Sequence, residues 1–152
     1  MDAGYQRSAL VNDTAAVTWK ITEIPRCVTA GESFSVQLAA NIAGGWHVYS
    51  ISQPLGGPSA TAIMLLPRQP FRLAGPITGP KPEYVWDENF EMQMELYAGT
   101  AVFMIPVHVE ANTAVGAHEL RLEISYQECS ENSCKPPVKV TVRAPISVSE
   151  QV

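Results

Sequence analysis

The sequence predicts an all-β sandwich, and three observations support this fold class. Twelve prolines and ten glycines punctuate the 152 residues, so turn-forming residues recur along the whole chain. The segments between them alternate apolar and polar side chains with a period of two, which is typical of half-buried strands and not of helices. Apolar residues make up 46% of the chain and charged residues 16%, enough to bury the core of one domain.

Alternation predicts the first two strands. Ala16–Ile24 alternates apolar and polar residues and ends at Pro25. After a turn at 30–32, Phe34–Ile42 points its apolar side chains to one face. That face is assigned to the core of the sandwich.

A short aromatic strand, Trp46–Ser50, follows the turn at Gly44-Gly45. Its alternation places Trp46 on one face and His47 with Tyr49 on the other. Packing in the core or at its rim explains Trp46 and Tyr49 without any functional role.

The middle of the chain is irregular between short strands. A turn-rich loop at 53–60 precedes Thr61–Leu66 and Phe71–Leu73. The prolines of 75–82 cannot donate to a sheet ladder, so this segment is predicted to be irregular. Glu83–Tyr97 interleaves acids with many large apolar side chains, and we expect a loop that covers or contacts another surface.

The last third of the chain contains the longest alternating runs. Thr100–Val109 and His118–Tyr126 are predicted strands joined by a polar turn. Val138–Val142 and Ile146–Val148 follow a double proline and are predicted to close the sheet.

Several function classes find no support in the sequence. The net charge of −5, without a lysine or arginine cluster, argues against nucleic-acid binding. His47, His108 and His118 have no partners at metal-ligand spacing, so no metal site is expected. A hydrolase is not indicated, because no nucleophile and base pair can be identified.

The chain is expected to form one domain outside the cytoplasm. Residues 1–15 carry few apolar side chains and are predicted to be a flexible N-terminal segment or linker, followed by a single domain over 16–152. No apolar run is long enough for a membrane span, and the start lacks the pattern of a signal peptide, which is compatible with one that has been removed. Three cysteines in a β-rich domain favour an oxidising compartment.

Two of the three cysteines lie between predicted strands, with four residues separating them. Cys129 and Cys134 flank Ser-Glu-Asn-Ser, a turn-forming tetrapeptide that allows the two thiols to face each other at bridging distance. Closing a loop of about six residues stabilises a fold by roughly 2 kcal/mol, against about 4.7 kcal/mol for a loop of about 100 residues. Such a bridge stabilises the fold only weakly, and an exposed turn is accessible to other thiolates. The residues alone leave a structural and a redox-active disulfide equally open.

Three motifs in this order resemble the N-terminal periplasmic domain of the thiol–disulfide interchange protein DsbD and the related disulfide-corrector domains. The resemblance covers about residues 16–148. The motifs are Gly45-Trp46-His47-Val48-Tyr49-Ser50, Gly56-Gly57-Pro58 and Tyr126-Gln127-x-Cys129-x4-Cys134-x-Pro136-Pro137.

The resemblance implies an immunoglobulin-like sandwich that carries electrons without a metal or another cofactor. Family members accept electrons from a thioredoxin-like domain and pass them to oxidised periplasmic proteins by exchange, often within a larger membrane-anchored protein. In the family the second cysteine of the pair forms the mixed disulfide, which maps onto Cys134. Cys129 would resolve that intermediate as the second catalytic thiol of a protein-disulfide reductase domain.

The family also places a cap loop over the disulfide. Its phenylalanine precedes a strand tyrosine by seven residues, and Phe90 and Tyr97 match this spacing. The Tyr84–Met94 loop would then shield the cysteines until a partner displaces it. Trp46 and Tyr49 match aromatic positions beside the family's site. The cysteine spacing is one residue shorter than in the best-known member, and Cys27 has no counterpart.

The charges next to the cysteines predict different reactivities. Lys135 would favour the thiolate of Cys134, whereas Glu128 and Glu131 would raise the pKa of Cys129. This asymmetry agrees with Cys134 as the attacking sulfur.

Two alternatives use the same cysteines differently. An immunoglobulin-type bridge between sheets could use Cys27 and Cys129 with Trp46 between them, but the separations are too long and Tyr126 precedes Cys129 by three residues, where the corner motif has two. Cys27 is instead expected to be a buried or partly buried free thiol. The other alternative is an immunoglobulin-like protein-binding module whose hairpin disulfide is inert.

Overall fold

A computed structural model describes residues 15–150, and these residues form twelve strands and no helix. The predicted flexible segment at 1–15 lies outside the described residues except for Ala15. The strands are β1 (Val17–Glu23), β2 (Cys27–Thr29), β3 (Ser33–Ile42), β4 (Trp46–Tyr49), β5 (Ala62–Leu65), β6 (Phe71–Leu73), β7 (Glu83–Asp87), β8 (Met92–Tyr97), β9 (Thr100–Val109), β10 (Gly116–Tyr126), β11 (Cys129–Ser130) and β12 (Val138–Ser149).

The strands form three four-stranded sheets. Their orders are β1-β3-β9-β6, β2-β12-β10-β5 and β11-β4-β8-β7. Pairing is antiparallel except between β2 and β12, which run parallel. The all-β sandwich that the sequence predicts is confirmed.

The first two sheets enclose the main core because their long strands alternate. On β3 and β9 every second side chain is buried, and the same holds for most of β10. Side chains with no exposed surface from these strands include Val36, Leu38, Phe103, Ile105, Val107, Leu120, Leu122 and Ile124. Burying one such aliphatic or aromatic side chain stabilises the fold by about 1.5–3 kcal/mol.

The third sheet presents its two faces to different surroundings. Val48 and Tyr97, which are directly paired across β4 and β8, belong to the main core. Tyr49 and Met94 face the other way and form a second, smaller cluster with Cys129. This outer face of the third sheet positions the cysteines.

The last strand differs from the prediction. Val138–Val142 and Ile146–Val148 are parts of one continuous strand, β12, which pairs with β10 over its length. The Ser147 N–H points away from β10 and donates to the Arg26 carbonyl (2.8 Å). Pro145 lies two residues earlier, so its nitrogen is directed to the same side, away from β10. The pairing with β2 begins only at Ser147, and Pro145 therefore removes no ladder bond.

The predicted loop at Glu83–Tyr97 is instead a β-hairpin, formed by β7 and β8. The side chain of Asp87 shapes its turn by accepting the backbone N–H groups of Asn89 (2.8 Å) and Phe90 (3.0 Å). We call residues 83–97 the cap hairpin. Its large side chains occupy both faces of the sheet. Tyr97 meets the main core, and Met92, Met94 and Leu96 meet the cysteine cluster. The other large side chains are exposed: Tyr84, Val85, Trp86 and Phe90.

Candidate functional site

Cys129 and Cys134 are joined by a disulfide across a tight turn, with their Cα atoms 4.0 Å apart. The Ser130 N–H donates to the Ser133 carbonyl (2.7 Å) on one side of the bridge, and the Lys135 N–H donates to the Glu128 carbonyl (2.9 Å) on the other. The Ser130 hydroxyl also accepts the Ser133 N–H (3.2 Å). The turn-forming tetrapeptide therefore brings the two sulfurs together as the sequence predicts.

The two cysteines differ sharply in exposure. Cys129 is 1% exposed, whereas Cys134 lies on the surface. Since thiol–disulfide exchange requires that a thiolate reach a sulfur atom, the Cys134 sulfur is the accessible half of the bridge.

The surroundings of Cys129 are apolar. Tyr49 and Met94 are buried against it, and Met92 and Leu96 pack on the same cluster. Three of these side chains come from β8, so the cap hairpin covers the buried cysteine. Tyr49, which the resemblance assigns to the surround of the site, lies in the same cluster as Cys129.

Two other aromatic residues expected beside the cysteines face the main core. Trp46 is paired with Ser130 and Tyr97 with Val48, which puts both rings on the face opposite to Cys129. The Tyr97 ring meets Phe103 edge to face, with centroids 5.4 Å apart, and burial raises the pKa of its hydroxyl. Phe90 lies in the turn of the cap hairpin and is 49% exposed.

The charge of Lys135 is already paired. Its Nζ lies 3.0 Å from Oε1 of Glu128 and 4.8 Å from the centre of the Trp46 ring. The other Glu128 oxygen accepts the N–H groups of Ala16 (3.2 Å) and Val17 (3.1 Å). The expected effect of Lys135 on the Cys134 thiolate is therefore weakened by a carboxylate, and Glu128 ties the base of the cysteine turn to β1.

His47 lies directly opposite Cys129 in the ladder between β4 and β11. Its Nε2 is 3.1 Å from the Tyr49 hydroxyl, and the two rings meet edge to face. Burial lowers the pKa of His47, an effect that the charge of Glu83 opposes. Burial raises the pKa of Tyr49, and the charge of Asp87 adds to it.

The loop at 53–60 packs against the cap hairpin. Gln53 is buried and its amide bridges to β8, donating to the Met94 sulfur (3.4 Å) and accepting the Glu95 N–H (2.7 Å). A Cβ on Gly57 would lie 2.9 Å from the Met92 sulfur, so a larger residue here would force this flexible side chain to shift. Gly56 has a φ of 101°, in the left-handed region that favours glycine.

Sequence reasoning did not assign His47 or Gln53 to the site, and it identified Glu128 only as a charge beside Cys129. The alternation of β4 does put His47 on the face of Tyr49, but only the register with β11 shows that this face holds Cys129.

The predicted burial of Cys27 is wrong. Its thiol is free and exposed because β2 is an edge strand that buries only its central residue.

Neither a metal cluster nor a membrane-spanning helix is found in the described part of the chain. No three His, Cys, Asp or Glu side chains within residues 15–150 are arranged to hold a metal ion. No helix there is long and apolar enough to cross a bilayer.

One solved structure with the same fold is the N-terminal periplasmic domain of ScsB from Proteus mirabilis. The TM-score is 0.53 with 17% sequence identity, over 86% of this chain and 45% of that one. The chain thus spans less than half of the ScsB structure, and the similarity supports the fold alone. The CooA pilin subunit from enterotoxigenic Escherichia coli, at 10% identity over 89% of this chain and 99% of that one, has a TM-score of 0.28, too low to carry an argument. A search of curated proteins gives no match.

The family described as "Thiol:disulfide interchange protein DsbD, N-terminal" matches residues 12–145. This range contains all three motifs, including both cysteines of the bridge and the whole cap hairpin. Because the match covers most of the chain, this protein belongs to the family of DsbD N-terminal domains.

Proposed function

We propose that this thiol–disulfide interchange domain is a dithiol–disulfide carrier that acts outside the cytoplasm through Cys129 and Cys134. The observation that carries the proposal is the pairing of one exposed and one buried sulfur in a short turn. The exposed sulfur can meet a partner, and the buried one can only meet its neighbour in the chain.

The proposed steps follow from this geometry. The thiolate of a thioredoxin-like donor attacks the Cys134 sulfur, the bond to Cys129 breaks, and Cys129 leaves with the electron pair and takes up a proton. A second donor thiol then attacks the mixed disulfide and releases reduced Cys134. In the second half of the cycle, reduced Cys134 attacks the disulfide of an oxidised protein, and Cys129 resolves the mixed disulfide.

The cap hairpin is proposed to shield the buried cysteine. It supplies Met92, Met94 and Leu96 to the apolar cluster, so small thiols cannot reach the Cys129 sulfur directly. Phe90, at the tip, is the side chain that a docking partner would meet first, since the turn is exposed. Trp46 would hold Lys135 beside the turn.

We propose a periplasmic location and a single domain over 16–152. The location is supported by the membership of this chain in the family and by the periplasmic ScsB domain, which has the same fold. The hydrogen bonds from the Ala16 and Val17 amides to Glu128 support a domain that begins at residue 16.

Trapping of mixed disulfides tests the carrier function. A reduced Cys129→Ser variant should accumulate a mixed disulfide with an oxidised protein through Cys134, because no resolving thiol remains. A Cys134→Ser variant should form none, since the Cys129 sulfur is buried. Both are made in a Cys27→Ser background, which removes the exposed third thiol. Equal trapping by both variants would contradict the assigned roles, and trapping by neither would favour a binding module with an inert disulfide.

A further inference from the structure

We propose that His47 is the base that takes the proton from the Cys129 thiol when this sulfur attacks Cys134, and that Tyr49 positions its imidazole. The inference rests on the carrier function proposed above and adds a residue that neither the cysteine motif nor the cap hairpin supplies.

The resolving step requires the Cys129 thiol to lose its proton. The nucleophile in disulfide exchange is a thiolate, and a thiol in apolar surroundings holds its proton more tightly than one in water. Cys129 is 1% exposed and is packed among Tyr49 and Met94. Since water has little access to this sulfur, its proton must pass to a group of the protein.

His47 is the nearest titratable side chain on that face by strand register. Directly opposed residues in an antiparallel ladder share a face, with Cβ atoms about 4.5–5.5 Å apart, and His47 is opposed to Cys129. The imidazole is half-buried, so a proton that it accepts can continue to solvent.

Other titratable groups on this face are more distant or remain protonated. Glu83 and Asp87 lie on β7, two strands away from β4 and three from β11, at about 4.8 Å per strand. β8, which lies between, offers this face only Met92, Met94 and Leu96. Tyr49 stays protonated at neutral pH because burial raises its pKa.

Tyr49 fixes the imidazole in a useful orientation. When Nε2–H donates to the Tyr49 hydroxyl, 3.1 Å away, Nδ1 is the unprotonated nitrogen and can accept a proton. Burial also keeps His47 neutral at pH 7, since it lowers the pKa below the ordinary 6.5.

In the resolving step the Cys129 sulfur bonds to the Cys134 sulfur, and the bond between Cys134 and the partner's sulfur breaks. The partner leaves as a thiolate with that electron pair. The Cys129 proton moves to His47 and from there to water or to the departing thiolate, so the domain ends oxidised and the partner reduced.

Stoichiometric dithiobis(nitrobenzoate), whose reduction releases a coloured thiolate, separates the two steps. Reduced protein in the Cys27→Ser background should release one thiolate as Cys134 attacks and a second as Cys129 resolves. His47→Gln should slow the second release by about 100-fold or more and leave the first within about twofold, since general bases contribute 10²–10⁴-fold. In the unsubstituted site the pH profile of the second rate should show an inflection below pH 6.5, since burial lowers the pKa of His47, and His47→Gln should lose this inflection.

His108→Gln is the matched control, because His108 lies on β9 and bonds Ser33. It should leave both rates and the inflection unchanged. A His47→Gln protein that resolves at the normal rate, or more slowly with its inflection retained, would overturn the role of His47 while leaving the carrier function intact. An unsubstituted site that releases only one thiolate would overturn the carrier function and the inference together.

Discussion

The buried carboxylate of Glu128 connects the cysteine turn to the beginning of the first strand. It is 5% exposed, accepts the backbone N–H groups of Ala16 and Val17, and pairs with Lys135 across the base of the turn. The sequence identified Glu128 only as a charge beside Cys129. Its two backbone donors lie 112 and 111 positions away along the chain, and no local pattern encodes such contacts.

Glu128→Ala should lower the free energy of unfolding by about 2–4 kcal/mol, because it removes the buried carboxylate that accepts two backbone N–H groups and pairs with Lys135. Urea unfolding of the oxidised protein measures the loss. Glu131→Ala, which removes an exposed carboxylate two residues beyond Cys129, is the matched control and should change stability by less than about 0.5 kcal/mol. Similar losses in both variants would show that the contacts of Glu128 contribute nothing specific.

His47 should also make stability depend on pH. Its pKa in the folded state lies below the ordinary 6.5, so in the window between these two values the unfolded chain binds a proton that the folded protein excludes. Stability then rises with pH through this window and is fully present above about 6.5. The difference in unfolding free energy between the protein and His47→Gln should therefore grow as the pH approaches 6.5 and stay constant above it. A difference that is flat over pH 5 to 7 would contradict the burial of His47.

At the scale of elements, Met94 attaches the cap hairpin to the cysteine cluster. This side chain is 2% exposed, packs on Tyr49 and Cys129, and accepts the Gln53 amide. It is therefore the main anchor of the hairpin on its outer face.

Met94→Ala should cost about 2–5 kcal/mol of stability, the range for truncating a buried methionine. Met64→Ala is the matched control, since Met64 is 47% exposed on β5, and should cost less than about 0.5 kcal/mol. Denaturant unfolding of both variants makes the comparison. Equal costs would mean that the hairpin does not depend on the cysteine cluster.

Most strands could be predicted from sequence because one of their faces is buried and the other is exposed. Phe34–Ile42 and Thr100–Val109 alternate clearly and are confirmed. The cap hairpin was missed because large side chains occupy both of its faces, which hides the period of two. Val138–Val142 and Ile146–Val148 were predicted as two segments, although Pro145 between them directs its nitrogen away from β10 and does not interrupt β12.

At the scale of the whole molecule, the disulfide adds little to a fold that the sandwich already holds together. The main core joins the first two sheets and one face of the third without either cysteine of the bridge. Reduction should therefore lower the unfolding free energy by only about 2 kcal/mol, the value for a loop of this length. Unfolding of the reduced and oxidised forms measures this, and a reduced form that is unfolded would assign the bridge a structural role.

The central claim is that Cys129 and Cys134 interconvert between dithiol and disulfide under physiological potentials. The most direct test is a redox titration in thiol buffers, with alkylation and peptide mapping to identify the paired cysteines at each potential. We expect a Cys129–Cys134 bridge that titrates between about −180 and −270 mV, the range of working oxidoreductases, with Cys27 reduced throughout. A bridge that includes Cys27, or one that persists below about −300 mV, would mark the disulfide as structural and contradict the carrier function.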